Sequence, residues 1–316
     1  MFSIVIPLYN KEAFIQRALD SVLQQTLTDY EIIVVDDGSS DGGLAVVKGS
    51  NDARIRVIQQ ANAGVAAARN KGIAEARRDW VAFLDADDVW MPNHLEELQA
   101  LIQAYPTVLS VGTAYHKIDT NGRVQELRSP KLSDGQHRFI VDDYFAVSIT
   151  CDHVLHSSSA AARKEVLQQI GGFPVGVKSG EDLITWAKLA LAGEMAFSST
   201  VSAIFYVPDQ KASNRVANIR RPALPDRVGE ELAGMAERSQ QPSLYRYLSL
   251  WHEIRAVLFT ELNEKRLALK ELRLSAQFSG IRKKHILMLL ALLIPQWIRA
   301  KVFEKIRHYK KRASNE

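Results

Sequence analysis

The chain has little of what a secreted or membrane-spanning protein needs. Its only cysteine, Cys151, excludes an internal disulfide. The amino terminus opens on a strand-like pattern rather than on a charged leader followed by an apolar stretch, and both features favour a reducing cytosol. The apolar run at 286–294 is nine residues long, whereas a helix that crosses a bilayer needs about twenty.

Two glycine-rich phosphate loops are also missing. No Gly-x-Gly-x-x-Gly follows the first strand-like segment, and no Gly-x-x-x-x-Gly-Lys-Ser/Thr occurs in the sequence. These loops bring backbone N–H groups up to a diphosphate, so their absence argues against dinucleotide oxidoreduction and P-loop chemistry.

The positive net charge of +4 belongs to the tail. Residues 281–316 hold ten Lys or Arg against two Glu, so the remainder is slightly acidic. A nucleic-acid binder carries a basic face on its folded domain, and we therefore expect no nucleic-acid partner. With 47% apolar residues, the 316-residue chain can form one large domain with an appendage.

The first hundred residues alternate between the strand and helix periods. Short β-branched runs are typical of strands buried in a parallel sheet, and apolar residues at helical spacing separate them. Asn10 is the expected N-cap of the first helix, and Pro92 is expected in the first turn of the last. The pattern predicts a doubly wound α/β sheet with its site at the carboxyl ends of the strands. The predicted strands and helices span 3–7, 14–23, 31–36, 54–58, 64–77, 80–84 and 92–105.

After residue 108, the alternation of strand and helix periods gives way to strand-like segments. Asn121-Gly122 predicts a two-residue hairpin turn. Residues 159–170 predict a short helix that Gly171-Gly172 ends.

A further helix is predicted over 183–191, with Glu181 and Asp182 directly before it. The helix dipole stabilises a carboxylate at this position in its ionised form, which suits a general base near neutral pH. The alternative is that both acidic residues only favour the start of the helix.

The fourth strand ends in an acidic run, Asp85-Ala86-Asp87-Asp88. Carboxylates that alternate with a small residue at a sheet edge present hard oxygen ligands to Mn²⁺ or Mg²⁺, which keeps open positions for phosphate oxygens. This predicts a nucleotide ligand. The alternative is that the run only caps the helix that follows it.

The order and spacing of several motifs resemble those of an inverting, GT-A type family 2 glycosyltransferase. The resemblance covers residues 1 to about 210. It implies a GT-A doubly wound, mostly parallel sheet with helices on both faces in a catalytic domain over 1–225, followed by a helical extension over 226–316. The motifs are Ser3-Ile4-Val5-Ile6-Pro7-Leu8-Tyr9-Asn10, Asp36-Asp37-Gly38-Ser39, Ala68-Arg69-Asn70-Lys71-Gly72, Asp85-Ala86-Asp87-Asp88, Gly171-Gly172-Phe173 and Glu181-Asp182.

The resemblance implies a donor site for a nucleoside-diphosphate sugar. Pro7 and Tyr9 would line the nucleoside slot, and Asp36 or Asp37 would accept a hydrogen bond from uracil or thymine, which selects a pyrimidine donor such as UDP. The residues expected to bind the donor are Pro7, Tyr9, Glu12, Asp36, Asp37, Arg69, Asp85 and Ala86.

It also implies the chemistry. Asp87 would hold Mn²⁺ or Mg²⁺, which neutralises charge on the departing diphosphate. Asp85 would approach the ribose or the metal. Arg69 is the positively charged residue best suited to assist them. Asp182 would deprotonate the acceptor hydroxyl, giving inversion in one displacement without a covalent intermediate.

The expected function is transfer of one sugar to a glycan or glycolipid hydroxyl in bacterial surface polysaccharide or lipopolysaccharide assembly. No Gln-x-x-Arg-Trp follows Asp182, which disfavours polymer synthesis. One alternative is a nucleotidyltransferase, which typically carries a glycine-rich basic loop where Tyr9-Asn10-Lys11-Glu12 stands. The other is a non-catalytic nucleotide-sugar-binding subunit.

The C-terminal part carries no motif. Helices predicted over 226–238 and 243–277 are expected to pack on the sheet domain or to form a contact in a homo-oligomer. The segment 281–316, with Trp297, is expected to bind an anionic membrane surface on the inner face of the cytoplasmic membrane. The alternative is a buried helix with a solvated tail.

Overall fold

The computed structural model describes residues 1–126, 137–150, 154–207 and 221–295. Cys151, Trp297 and the basic residues after Trp297 lie outside these ranges. The chain divides into two compact units, Met1–Asp209 and Gln210–Glu316, so the division falls earlier than the boundary expected at 225.

Within these ranges, the first unit contains one sheet of ten strands in the order β3-β2-β1-β4-β9-β6-β10-β5, with β7 beside β6 and β8 beside β10. Six strands run in one direction and four, β5, β7, β8 and β9, in the other. The strands are β1 (Phe2–Leu8), β2 (Tyr30–Asp36), β3 (Ile55–Gln59), β4 (Trp80–Phe83), β5 (Val89–Trp90), β6 (Ser110–Ile118), β7 (Val124–Glu126), β8 (Arg138–Ile140), β9 (Ala160–Arg163) and β10 (Met195–Tyr206). The helices are α1 (Glu12–Leu23), α2 (Gly43–Gly49), α3 (Val65–Glu75), α4 (His94–Ala104), α5 (Tyr144–Ser148), α6 (Lys164–Gln169) and α7 (Glu181–Ala192).

The predicted mostly parallel sheet with helices on both faces is confirmed, and β1 shows why both faces are covered. Ile4 and Ile6 share a core cluster with Ile15 of α1. Val5, which points to the opposite face, meets Gly72 of α3 so closely that an added Cβ would lie 2.3 Å from Val5 Cγ1. Alternation along one buried strand therefore packs a helix on each side.

Two helix starts differ from the prediction. Lys11, not Asn10, is the N-cap of α1. Asn10 has a φ of 51°, and its Oδ1 accepts the backbone N–H of Ser40 at 2.8 Å, so it joins two turns instead of capping the helix. The helix α4 begins at His94, and Pro92 precedes it.

The helix predicted over 159–170 is wrong in its first half. Residues Ala160–Arg163 form β9, which lies antiparallel between β4 and β6, and only Lys164–Gln169 are helical. Alanine favours a helix when isolated, but three alanines with no exposed surface fit the narrow space between two strands, and this tertiary pairing overrides the local preference. Gly171 and Gly172 end the helix as predicted, both with positive φ.

The hairpin between β6 and β7 is confirmed in place but not in length. Its loop spans residues 119–123 rather than two residues. Asp119 Oδ1 accepts the N–H groups of Asn121 and Arg123, at 2.8 and 3.0 Å, which stabilises the longer turn.

The second unit is helical in its described part. Its helices are α8 (Arg227–Ser239), α9 (Pro242–Glu261), α10 (Lys265–Ser279) and α11 (Lys283–Leu293). The single helix predicted over 243–277 is two, because the chain turns at Asn263, whose φ is 61°. The helices α9 and α10 pack on each other, and Leu292 of α11 joins Phe259 and Leu272 in their core.

The helix α11 has an unusually apolar exposed surface. While Leu292 is buried, five apolar side chains of the helix are at least 40% exposed, namely Ile286, Leu287, Leu289, Leu290 and Leu293. Among the described residues, no helix combines the length and apolarity that a membrane span requires.

Candidate active site

The carboxyl ends of β1 and β2 are joined directly. The N–H of Asp37, just after β2, donates to Leu8 O at 2.8 Å. In a parallel sheet these ends share one edge, and the acidic run after β4 lies at the same edge because β4 pairs with β1. The predicted convergence of these segments is present in the structure.

Asp37 organises the loop after β3. Its Oδ1 accepts the Gln60 side-chain amide at 2.7 Å and the Ala63 N–H at 2.9 Å, and its Oδ2 accepts the Gly64 N–H at 2.8 Å. Asp36 is equally buried, but its carboxylate accepts a single described hydrogen bond, from the Ser39 N–H in the turn that follows it. Three hydrogen bonds therefore hold the Asp37 carboxylate in place between the end of β2 and the loop after β3.

Three further predicted donor-binding residues lie around the end of β1. Pro7 is half-buried in the strand, and the Tyr9 side chain after it is 49% exposed, so an aromatic face is accessible there. Glu12 is exposed in the first turn of α1, where its Oε2 accepts the Gly42 N–H at 2.9 Å. That contact commits one oxygen of Glu12 to the start of α2.

The buried side chain of Arg69 bridges the acidic run after β4 and the first turn of α7. Its Nη2 donates to Asp85 Oδ1 at 2.7 Å and its Nη1 to Glu181 Oε1 at 3.0 Å, although the residue is only 3% exposed. Burial opposes its charge, but the two carboxylates outweigh burial and raise the pKa of Arg69. Burial likewise opposes the charged form of Asp85, yet Arg69 and then His156 hold the pKa of that carboxyl below its usual value.

The segment around Arg69 explains its sequence motif. Asn70 next to it clamps Phe173, donating from Nδ2 to its carbonyl and accepting its N–H at Oδ1, both at 2.7 Å. The Phe173 ring lies 5.0 Å from the guanidinium and packs edge-on against Phe83 and Trp186. Packing against these aromatic rings therefore holds the buried Arg69 guanidinium in place.

The helix α7 begins at Glu181, two residues earlier than predicted, so Glu181 and Asp182 lie in its first turn, but in different surroundings. Glu181 is 8% exposed and bound to Arg69, and burial together with Asp182 raises its pKa. Asp182 is half-buried, and its Oδ1 accepts the adjacent Leu183 N–H at 2.9 Å. Glu181 is thus bound to Arg69, whereas the described hydrogen bond of the Asp182 carboxylate involves only Oδ1.

Asp88 is a structural residue rather than a ligand. It is fully buried, where it accepts the Ser158 hydroxyl and, at Oδ1, the Tyr206 N–H at 3.1 Å. Burial and the neighbouring Asp85 raise its pKa well above the ordinary range. This carboxyl ties the acidic run to the end of β10.

Asp87 has the surroundings expected of a cation ligand. Its side chain is 23% exposed, and its Oδ2 contacts the Lys11 ammonium at 2.5 Å. Arg17 Nη2 donates to its backbone carbonyl at 2.7 Å. Ala86 before it is buried. An accessible carboxylate that already binds a positive charge fits Mn²⁺ or Mg²⁺.

Comparison with known proteins agrees with this geometry. The profile of Glycosyl transferase family 2 matches residues 3–171, more than half of the chain. This chain belongs to glycosyltransferase family 2. A relative from Nostoc sp., described as the uncharacterized glycosyltransferase alr2836, is 37% identical over 181 residues, which are 55% of this chain and 53% of that protein. The matched region thus spans about half of that relative's length.

Solved structures show the GT-A fold of this family 2 chain. Staphylococcus aureus TarS 1-349 in complex with UDP-GlcNAc has a TM-score of 0.58 at 20% identity, covering 89% of this chain and 93% of that one. The mannosyltransferase PcManGT from Pyrobaculum calidifontis, in complex with GDP-Man and Mn²⁺, has a TM-score of 0.60 at 21% identity, covering 92% and 78%. At these identities the likeness concerns the fold.

Three contacts of the family 2 site carry no sequence signal. Lys11 binds Asp87, Glu181 binds Arg69, and Ser158 binds Asp88, across separations of 70 to 112 positions. Neither periodicity nor a local motif links such pairs, so only the folded chain reveals them.

A second group of possible metal ligands lies in the helical unit. Asp226, His252 and Glu271 bring one ligand atom each within 4.8 Å of one another. The buried Arg255 already supplies a cation there, contacting Asp226 at 3.1 Å and Glu271 at 3.0 Å. Trp251 also donates to Asp226 at 3.0 Å. These residues therefore form a buried ion network that needs no metal.

Proposed function

We propose that this chain transfers one sugar from a nucleoside-diphosphate donor to a hydroxyl of a glycan or glycolipid, with inversion and with a divalent cation. The observation that carries the proposal is that one buried arginine binds both the acidic run that contains Asp87 and the helix turn that contains Asp182. Arg69 connects their neighbours Asp85 and Glu181, so the acidic run and the start of α7 form one constellation.

Each residue has a distinct task in this proposal. Asp87 would hold the cation, and a bound Mn²⁺ or Mg²⁺ supplies charge neutralisation for the leaving diphosphate. Asp182 would accept the proton of the acceptor hydroxyl as that oxygen attacks the anomeric carbon. Arg69, always charged, keeps Asp85 ionised beside the donor.

The donor would be a pyrimidine nucleotide, most simply UDP. The exposed Tyr9 ring offers a stacking face, and Pro7 lies at the same strand end. Asp36 and Asp37 are both candidates for the acceptor of the base N–H. The Asp37 carboxylate accepts three described hydrogen bonds, and the Asp36 carboxylate accepts one.

The acceptor would be lipid-linked, in bacterial surface polysaccharide or lipopolysaccharide assembly at the inner face of the cytoplasmic membrane. The exposed apolar side of α11 supports a membrane-surface contact. Arg282 and Lys284, which precede that side, are paired with Glu253. The charge of Arg282 and Lys284 is therefore partly neutralised. The residues that would attract anionic lipid are Lys283 and the basic residues beyond Trp297.

Thermal unfolding with UDP, dTDP and GDP, each with Mn²⁺ or with EDTA, tests this proposal. We expect stabilisation by UDP or dTDP with Mn²⁺, and loss of the Mn²⁺ effect in Asp87→Asn, which keeps the shape of the side chain but removes its charge. Asp119→Asn, in the hairpin loop, is the control. Equal stabilisation in Asp87→Asn would contradict the metal assignment.

Product analysis separates the alternatives. Release of a nucleoside diphosphate together with glycosylated acceptor supports transfer. Release of pyrophosphate from a nucleoside triphosphate would indicate a nucleotidyltransferase. Tight donor binding without turnover over a panel of lipid and glycan acceptors would indicate a non-catalytic binding subunit.

A further inference from the structure

We propose that Lys11 is a built-in counter-ion that occupies the cation position at Asp87 and leaves it when a divalent cation arrives with the nucleoside diphosphate. Divalent cation binding would therefore be weak without nucleotide and strong with it. This inference rests on the proposed function, because it concerns the cation that Asp87 is proposed to hold.

The Lys11 ammonium already occupies the position beside Asp87 that a metal ion would take. Lys11 Nζ lies 2.5 Å from Asp87 Oδ2, and the two side chains are 35% and 23% exposed. Opposite charges in such a partly buried setting attract each other more strongly than they would in water. A cation that enters this position must first displace the ammonium.

The two residues are anchored differently. Arg17 holds the backbone of Asp87 at 2.7 Å, and its guanidinium lies 3.8 Å from the centre of the Tyr206 ring. Lys11 reaches Asp87 from the N-cap of α1 through a flexible four-carbon stem and, in the described contacts, a single acceptor. The ammonium can therefore swing away while the carboxylate stays in place.

The charges explain why nucleotide should be required. Arg69 is buried and bound to two carboxylates, so it remains when a ligand binds, whereas Lys11 is the exchangeable cation of the described site. A divalent cation alone would leave the displaced ammonium beside it, and the two would repel each other. A diphosphate supplies negative oxygens for both, so its binding and that of the cation become mutually favourable.

Direct measurement of Mn²⁺ binding tests this, by electron paramagnetic resonance of free Mn²⁺ with and without UDP. We expect the native chain to bind Mn²⁺ about tenfold or more tightly when UDP is present. In Lys11→Met, binding of Mn²⁺ alone should strengthen by about tenfold, and the dependence on UDP should shrink correspondingly. Lys11→Arg should keep the native behaviour.

Lys71→Met is the matched control, since Lys71 pairs with Glu75 at 3.0 Å on α3 of the same unit and should leave Mn²⁺ binding unchanged. If Lys11→Met and the native chain bind Mn²⁺ alone with equal affinity, Lys11 is not a counter-ion. The proposed function would still stand in that case, provided that UDP binding still requires Mn²⁺. If the native chain binds no Mn²⁺ even with UDP, both proposals are wrong. Lys11→Gln repeats the measurement should Lys11→Met lower the unfolding temperature.

Discussion

Arg69 and Glu181 lie 112 positions apart in the sequence and are joined by a 3.0 Å hydrogen bond from Nη1 to Oε1. The same guanidinium binds Asp85 through its other terminal nitrogen. One buried side chain therefore fixes the distance between the acidic run and the first turn of α7, which carries the proposed base.

Arg69→Lys should destabilise the first unit and weaken donor binding, because an ammonium cannot span two carboxylates in a fixed fork. We expect the free energy of unfolding to fall by about 2–4 kcal/mol, since one buried carboxylate loses its partner. Urea unfolding measures this. Arg54→Lys, at a partly exposed bidentate pair with Asp52, is the matched control and should cost at most about 1 kcal/mol. Equal costs at the two sites would show that the bridge has no special role.

Asp182→Asn should leave donor affinity nearly unchanged and lower turnover by about 10² to 10⁴, because the lost group acts on the acceptor proton. Calorimetry with UDP and Mn²⁺ is compared with product formation. Glu165→Gln places the same kind of change in the first turn of another helix, α6, and should alter neither quantity. A parallel collapse of donor affinity would identify Asp182 as a donor or metal ligand instead.

Glu271→Gln should reveal an acid-sensitive ion network in the helical unit. Burial opposes ionisation of Glu271, but hydrogen bonds from His252 and Arg255 outweigh it and lower the pKa. A carboxyl with a lowered folded pKa stabilises the fold above its unfolded pKa of about 4.3, and this contribution disappears as the pH falls through the folded pKa.

At pH 7 the substitution should therefore cost about 2–4 kcal/mol. The difference between Glu271→Gln and the native chain should begin to shrink as the pH falls below the unfolded pKa of about 4.3, and should vanish below the lowered folded pKa, where the native carboxyl is also neutral. Unfolding curves from pH 7 to pH 3 measure both effects, and a pH-independent difference would exclude titration of Glu271 as the cause. Glu264→Gln, at an exposed pair with Arg221, is the control.

Replacing Leu287, Leu290 and Leu293 together by Gln should lower binding to anionic vesicles by about tenfold or more while sparing the fold, because these side chains supply apolar area that is exposed in the chain. Co-sedimentation at low and high salt measures the effect. Leu292→Ala, on the buried side, should instead reduce stability. Truncation from 281 is a poorer test, since it removes Arg282 and Lys284 from the buried Glu253. Unchanged sedimentation of the triple variant would exclude α11 as the membrane contact.

The sequence predicted the elements whose signals are local. The four parallel strands β1 to β4, the acidic run and the acidic first turn of α7 followed from periodicity and from residue type. The helix α2 was not predicted, because it has glycine at both ends and no capping side chain at its start. The strand β9 was predicted as helix because its three alanines favour a helix unless neighbouring strands supply their pairing.

Within the site, the sequence indicated which residue types stand at the sheet edge but not which of them bind each other. Asp85, Asp87 and Asp88 look equivalent in the sequence, yet an arginine, a lysine and a hydroxyl separate their roles in the structure. These partners come from α3, α1 and the turn before β9. Their distances depend on how the strands are assembled into the sheet, which no local pattern encodes.

The position of β9 has a consequence for how the chain reaches its native state during synthesis. The strands β1 to β4 can pair as soon as they leave the ribosome, but the outer edge of β4 has no neighbour until Ala160–Arg163 emerges, about eighty residues later. Ser158, which binds Asp88 and the Asp85 N–H, arrives in the same stretch. Nascent chains that stop short of β9 would present an open strand edge next to a buried Asp88 that lacks its Ser158 hydrogen bond, a species prone to pair with other strands.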